Sequence, residues 1–170
     1  MITRLLKTIL DTERLILREF NTDDANFIIE LVNTPKWLAF IGDKQIRTKA
    51  HAETYIKDLQ ASYKTNGFGL WLVALKTDDT PIGMCGLVNR DSLDDIDIGF
   101  ALLPDYEGQG IAYEAANATM EYAKTTLELN KIVGITNTEN LDSIKLLNKL
   151  GLSYEKTITL SHGDTVLLFS

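Results

Sequence analysis

The first third of the chain changes its hydrophobic pattern from the alternation of a strand to the spacing of helices. Leu15 and Leu17 alternate with Arg14, Ile16 and Arg18 inside residues 12–20, which predicts a first strand. Residues 23–33 carry apolar side chains three and four positions apart, which predicts a helix that Pro35 ends. A second helix is predicted from Thr48, which can cap it, to residue 64, before an Asn-Gly stop.

The remaining two thirds alternate short apolar runs with two further helical segments. Strands are predicted at 68–76, 81–90, 96–103, 131–138, 152–160 and 165–169, and helices at 110–127 and 140–150. The order is β-α-α-β-β-β-α-β-α-β-β, without a repeat or a linker. It predicts one α+β domain over residues 1–170, with a mixed, mostly antiparallel sheet of about seven strands and about four helices.

The composition argues mainly against certain features, namely a signal peptide, a membrane helix and a metal site. Apolar residues make up 45% and charged residues 24% of the 170, as in soluble globular domains. Basic residues interrupt the mildly apolar residues 1–10, which therefore do not resemble a signal peptide, and no run reaches the roughly 20 apolar residues of a membrane helix. We expect a cytoplasmic protein without membrane contact. A single cysteine, Cys85, and two separated histidines predict no metal site.

Charge narrows the set of partners. The chain has 17 basic and 24 acidic residues, a net charge of -7, which disfavours nucleic acid as a ligand. A negative surface attracts cationic ligands such as amines, although a local basic segment can still hold an anion.

The segment with the clearest chemistry is LLPDYEGQGIAYEA, residues 102–115, in which a glycine loop joins a predicted strand to a predicted helix. Glycines accept positive φ angles, and the first N–H groups of a helix attract anions, so this loop predicts a phosphate cradle; a tight turn is the alternative. Ile111 follows the second glycine where a P-loop has lysine, and Tyr113 stands where a dinucleotide-binding fold needs a third glycine.

This segment resembles the acetyl-coenzyme A loop of the GNAT acetyltransferases, especially the RimJ/RimL type that acetylates ribosomal-protein N-termini. Asn140-Leu-Asp-Ser143 and Lys149-Leu-Gly-Leu152 resemble two further motifs of that type, and so does the opening TERLILREFNTDDA. The likeness covers residues 12–170.

The resemblance implies the GNAT fold, acetyl-CoA as co-substrate, and direct acetyl transfer to a primary amine in a ternary complex without a metal. The acceptor is then a protein N-terminus or a small amine; a polyamine or small-molecule acetyltransferase and a catalytically weak CoA-binding module are the alternatives. The protein is expected as a monomer or homodimer. Two positions depart from the pattern: Asp105 replaces the superfamily's Gln or Arg, and Leu147 falls where many members carry a catalytic tyrosine.

By the same resemblance, two parts of the chain are expected to hold the cofactor. The backbone of the third central strand and the loop after it contribute most of the contacts, and a motif at the start of the last helix contributes the rest. The expected residues are Ala101, Leu102, Leu103, Gly108, Gln109, Gly110, Ile111, Ala112, Asn140 and Ser143.

Three side chains are candidates for proton transfer. Ser143 is the expected acid for the departing thiolate, with a helix cap formed together with Asn140 as the alternative. Asp97 is the first candidate for the base, and it is also expected to contact the amine acceptor. Strand alternation turns its side chain away from those of its isoleucine neighbours. The alternative is that Asp97 lies at a solvated strand edge. Glu107 is the second candidate. Trp37, predicted in a loop, is expected to line the acceptor pocket.

Overall fold

Eight strands form one twisted sheet in the computed structural model, which describes residues 7–170. The strand order is β1-β2-β3-β4-β5-β6-β8-β7, and every neighbouring pair is antiparallel except β5 and β6. The strands are β1 (Thr8–Asp11), β2 (Leu15–Arg18), β3 (Leu70–Leu75), β4 (Pro81–Val88), β5 (Ile96–Leu102), β6 (Ile132–Thr136), β7 (Tyr154–Thr159) and β8 (Thr165–Phe169).

Five helices cover the two faces of this sheet. They are α1 (Ala25–Val32), α2 (Pro35–Phe40), α3 (Lys49–Asn66), α4 (Ile111–Thr125) and α5 (Leu141–Lys149). Alternation along β3 separates two cores: Leu72 packs with α1 and α3, whereas Trp71 and Val73 pack with α4. The sheet is therefore buried on both faces.

Capping residues fix where the early helices begin and end. Asn21 and Asp24 form a capping box before α1, and both carboxylate oxygens of Asp24 accept hydrogen bonds from Arg18, each 2.9 Å long. The Thr48 hydroxyl accepts from the His51 N–H at the start of α3. Gly67, at φ 79°, ends that helix in the left-handed conformation.

The predicted α+β class with a mixed, mostly antiparallel sheet is confirmed, and the element counts need a small correction. Residues 7–170 form eight strands and five α-helices, where about seven strands and about four helices were predicted. The additional strand is β1, ahead of the segment assigned to the first strand. The additional helix is α2: Pro35 does not merely end α1, which stops at Val32, but occupies the first turn of α2, where its missing N–H costs nothing.

The beginning of the chain is described only in part. Residues 1–6, most of the segment judged unlike a signal peptide, lie outside the described residues. Residues 8–10 belong to β1, which pairs with β2. Across residues 7–170, no helix combines the length and apolar character needed to cross a membrane.

Two glycines paired across β4 and β5 give a matched test of sheet packing. A methyl group on Gly86 would overlap the backbone carbonyl of Gly69, whereas one on Gly99 would meet only the end of the Leu70 side chain, at 3.1 Å. We expect Gly86→Ala to lower the free energy of unfolding by about 1–3 kcal/mol, because backbone must move. Gly99→Ala should lower it clearly less in urea titrations; equal losses would contradict this explanation.

Candidate functional site

The parallel strands β5 and β6 separate soon after they meet. Only two residue pairs join them, Ile96 with Ile132 and Asp97 with Val133. Beyond that point β6 pairs with β8 on its other edge, and β5 continues beside β4. The result is a wedge-shaped gap within the sheet, bordered by the unpaired edge of β5.

The register of β4 and β5 determines which backbone groups face this gap. The Leu103 N–H donates to the Ile82 carbonyl over 2.8 Å, and the Leu103 carbonyl accepts from the Tyr106 N–H. Because hydrogen bonds alternate along an antiparallel strand, Ala101 then faces β4, and Phe100 and Leu102 face the gap. Of the three residues expected to bind a cofactor through the backbone, only Leu102 presents its groups there; Phe100, which was not among the expected residues, faces the gap as well.

The glycine loop leads from the end of β5 into the first turn of α4. Gly108 and Gly110 have φ angles of 73° and 76°, the left-handed region that favours glycine. No side chain caps α4, and its first intrahelical hydrogen bond runs from Glu114 to the Gly110 carbonyl. The N–H groups at the start of α4, including those of Ile111 and Ala112, are therefore open to an anion.

An arginine far away in the sequence holds this loop in place. Arg14 Nε donates to Glu114 over 2.8 Å, and Arg14 Nη1 donates to the Gln109 carbonyl over 2.9 Å. Its other terminal nitrogen lies 3.6 Å from where a side chain on Gly110 would begin. Arg14 therefore fixes the backbone of the loop from outside the cleft. Arg14 belongs to the opening segment TERLILREFNTDDA, whose pattern gives no sign of this role.

A cavity of about 530 Å³ lies against the loop, the open edge of β5 and the start of α5. Its volume and its open N–H groups fit an elongated ligand with a phosphate group. Lys36 of α2 stands at this cleft, bonded to Glu107 over 2.7 Å and to Asp142 over 3.1 Å. Both bonds raise the pKa of the Lys36 ammonium, and the bond to Glu107 has the larger effect. They also connect α2 with the loop and with α5.

A second cavity, of about 370 Å³, lies on the α1 and α3 side and meets the first. Seven residues line both: Trp37, Phe40, Ile41, Phe100, Ala101, Asn140 and Ser143. A group bound in one cavity can therefore reach a group bound in the other along these residues.

Ser143 lies at this junction and is 8% exposed. Its backbone N–H donates to the side chain of Asn140, which caps α5, over 3.2 Å. Its hydroxyl donates to no acceptor among the described residues. The cap thus uses the Ser143 backbone and leaves the hydroxyl free. One turn later Leu146 lines the cleft, whereas Leu147 is fully buried against Gly134, so neither leucine offers a proton.

Asp97 lines the second cavity and is only 1% exposed, so it is not a solvated strand edge. Its carboxylate accepts a hydrogen bond from Arg90 Nε over 3.0 Å. Burial raises the pKa of Asp97 to about 6, although the Arg90 charge acts in the opposite direction. The group is ionised at neutral pH and able to accept a proton.

The other two predicted side chains occupy different positions. Glu107 lies in the first cavity, bonded to Lys36, and does not line the cavity that contains Asp97. Trp37 lies in α2 rather than in a loop, is 4% exposed and borders both cavities. Its indole N–H is buried without a hydrogen-bond partner in the described part of the chain.

Known proteins agree with this architecture. Residues 14–153 match the family described as "Acetyltransferase (GNAT) domain". The uncharacterized N-acetyltransferase p20 of Bacillus licheniformis is 31% identical over 148 residues, which cover 85% of this chain and 82% of p20. The spermidine N(1)-acetyltransferase of Escherichia coli is 42% identical over 52 residues, 31% of this chain and 28% of that protein.

Among solved structures, the ribosomal L7/L12 alpha-N-protein acetyltransferase RimL in complex with coenzyme A has a TM-score of 0.81 to this fold at 16% identity, with 96% of each chain covered. The likeness at this identity concerns the fold, and the match of the family to residues 14–153 concerns the sequence. The chain belongs to the GNAT family of acetyltransferases.

Proposed function

We propose that this protein transfers an acetyl group from acetyl-CoA directly to a primary amine while both are bound. The observation that carries the proposal is the junction at which the two cavities share Phe100, Asn140 and Ser143. One cavity has the open helix start for a phosphate, and the other has a buried carboxylate for an amine. Their contact removes the need for an acyl-enzyme.

The first cavity is the proposed place for acetyl-CoA. The N–H groups of Ile111 and Ala112 would bind its pyrophosphate, with Gly108 and Gly110 shaping the approach. The backbone of Phe100 and Leu102 would pair with its pantetheine arm along the open edge of β5. Acetyl-CoA supplies the acetyl group as a thioester: the amine nitrogen bonds to its carbonyl carbon, the carbon–sulfur bond breaks, and CoA leaves as the thiol.

Asp97 is the proposed base. Its carboxylate removes a proton from the ammonium form of the acceptor and so leaves an electron pair on the nitrogen. Arg90 holds the carboxylate through one hydrogen bond and leaves the remaining lone pairs for the acceptor. The second proton lost by the nitrogen passes to water. Glu107 is less suited to this step, because Lys36 already binds it in the other cavity.

Ser143 is the proposed acid. Its hydroxyl, free of protein acceptors among the described residues, donates a proton to the departing sulfur and regains one from solvent through the cavities. Asn140 holds the start of α5 and thereby the position of Ser143. Leu146 and Leu147, further along α5, carry no proton donor in their side chains.

The activities for which similar proteins are named offer two classes of amine acceptor. RimL acts on a ribosomal protein N-terminus, and spermidine N(1)-acetyltransferase acts on a polyamine. The polyamine likeness covers less than a third of the chain. We therefore prefer a small amine or a protein N-terminus as the acceptor. The alternative to an acetyltransferase is a protein that binds CoA without turnover.

The direct test is the release of free thiol from acetyl-CoA in the presence of amines and N-terminal peptides. Ser143→Ala should lower kcat by about a hundredfold or more, within the usual range for a lost general acid, with cofactor affinity changed only a few-fold. The helix cap survives in this variant, since it uses only the backbone of residue 143. Tight acetyl-CoA binding without thiol release for any acceptor would favour the binding module.

The loop is tested by Gly110→Leu, with Gly67→Leu as its matched control. Both glycines have similar positive φ angles, 76° and 79°, so both substitutions should cost about 1–2 kcal/mol of stability. Only the change at Gly110 should also weaken CoA binding, by about tenfold or more in titration calorimetry, because it turns the N–H groups of α4 and displaces Arg14. Unchanged affinity in a folded Gly110→Leu protein would exclude this loop as the cofactor site.

The base is tested through pH. Because the pKa of Asp97 is raised to about 6, kcat at saturating acceptor should fall as the pH drops below about 6. Asp97→Asn should lower kcat and remove this acid limb, whereas Asp94→Asn, an exposed change of the same charge, should keep it. A variant profile parallel to the wild type would exclude Asp97 as the base.

The same shift has a consequence for stability that does not depend on turnover. The folded state holds the Asp97 proton more tightly than the unfolded chain, whose aspartates titrate near about 3.9. The contribution of Asp97 to the free energy of unfolding therefore falls as the pH rises from about 4 to about 6. The free energy of unfolding, measured by urea titration at several pH values in this range, should therefore fall with rising pH more steeply in the wild type than in Asp97→Asn.

A further inference from the structure

The second cavity contains hydrogen-bond donors that the protein itself does not use. Arg90 donates through Nε to Asp97, and its two terminal nitrogens donate to no acceptor in the described part of the chain. The hydroxyl of Tyr55, also in the wall, likewise has no partner among residues 7–170. Burial raises the pKa of Tyr55 to about 12, so this hydroxyl remains a donor at neutral pH.

Lys44 adds a second cation to the same wall. Its ammonium lies 5.8 Å from the centre of the Tyr55 ring and forms no ion pair with any carboxylate in the described residues. Lys44 as a residue is exposed, but the protein around its ammonium and the nearby Arg90 charge lower the pKa of Lys44. Asp97 engages Arg90 only through Nε, so a ligand anion at the Arg90 terminal nitrogens would also be attracted by the Lys44 charge.

Two carboxylates line the same cavity. Asp97 accepts one hydrogen bond from Arg90 and keeps lone pairs for an amine, and Asp164 lies 3.3 Å from the ring nitrogen Nδ1 of His162. The donors of the wall that have no acceptor among residues 7–170 include the Lys44 ammonium, the Arg90 terminal nitrogens and the Tyr55 hydroxyl. An arginine fork with a neighbouring ammonium is a suitable arrangement for a carboxylate.

We propose that the acceptor is a small molecule with both a primary amine and a carboxylate, and that Lys44, Arg90 and Tyr55 bind the carboxylate while Asp97 faces the amine. This inference rests on the proposed acetyl transfer and narrows its substrate class. A volume of about 370 Å³ accommodates a molecule of amino-acid size. A polyamine would instead place a second ammonium beside two cations.

The experiment compares ω-amino acids with alkylamines of equal length. The acceptors are γ-aminobutyrate, δ-aminovalerate and ε-aminocaproate, each beside the corresponding alkylamine, and spermidine. For the chain length that spans the cavity, kcat/KM should be about tenfold or more higher with the carboxylate than without it, the usual effect of a charge-assisted hydrogen bond. Equal values for both series would overturn the proposal.

Variants locate the effect at one side chain. Lys44→Gln should remove most of the advantage of the amino acids and leave the alkylamines nearly unchanged. Lys57→Gln, an exposed lysine of α3 that lines neither cavity, loses the same charge and should behave as wild type. Lys44→Glu should reverse the preference in favour of spermidine. A parallel loss for all acceptors in Lys44→Gln would contradict the assignment.

A binding measurement separates this inference from the proposed function. Calorimetric titration of δ-aminovalerate into CoA-loaded protein needs no turnover, and its affinity should fall about tenfold in Lys44→Gln. Binding that depends on Lys44 without thiol release would refute acetyl transfer and support the anion site. Thiol release from alkylamines, with no Lys44-dependent binding of any of the three amino acids, would refute the anion site and support acetyl transfer.

Discussion

The separation of β5 and β6 after two residue pairs is the constraint on which the site depends. A parallel strand pair that remained closed would leave no unpaired edge on β5 and no gap between the two faces of the sheet. Because α4 connects these two strands, its first turn necessarily lies at the carboxyl end of β5, where parallel strands open. The open strand edge and the anion-binding helix start therefore arise from one topological feature.

The same separation determines the position of Asp97. Its pair with Val133 is the last before the strands part, and alternation along β5 turns its side chain toward the second cavity while Ile98 enters the opposite core. Burial at the narrow end of the wedge raises the pKa of this carboxylate, and one hydrogen bond from Arg90 keeps it oriented. A surface carboxylate would titrate lower and accept protons less readily near neutral pH.

Local features of this molecule were predictable from the sequence, and contacts between distant segments were not. The strand, the glycine loop and the start of α4 follow from neighbouring residues, as does the cap formed by Asn140. By contrast, Arg14 and Glu114 are 100 positions apart, so no spacing rule joins them. Pro35 was misread because proline disfavours a helix interior but is well tolerated in a first turn, and the sequence before it fits both interpretations.

The net charge of the chain and the unused donors of the second cavity favour different groups of a ligand. The chain as a whole carries -7, which by itself would favour cationic acceptors. At contact distance, however, the donors that line the cavity outweigh distant surface carboxylates, because solvent and salt screen the surface charges more strongly. Lys44 and Arg90 come from the loop before α3 and from the loop after β4, and only the fold brings them to one wall. Long-range attraction of the amine and local recognition of a carboxylate can thus act on the same acceptor, the first at the surface and the second inside the cavity.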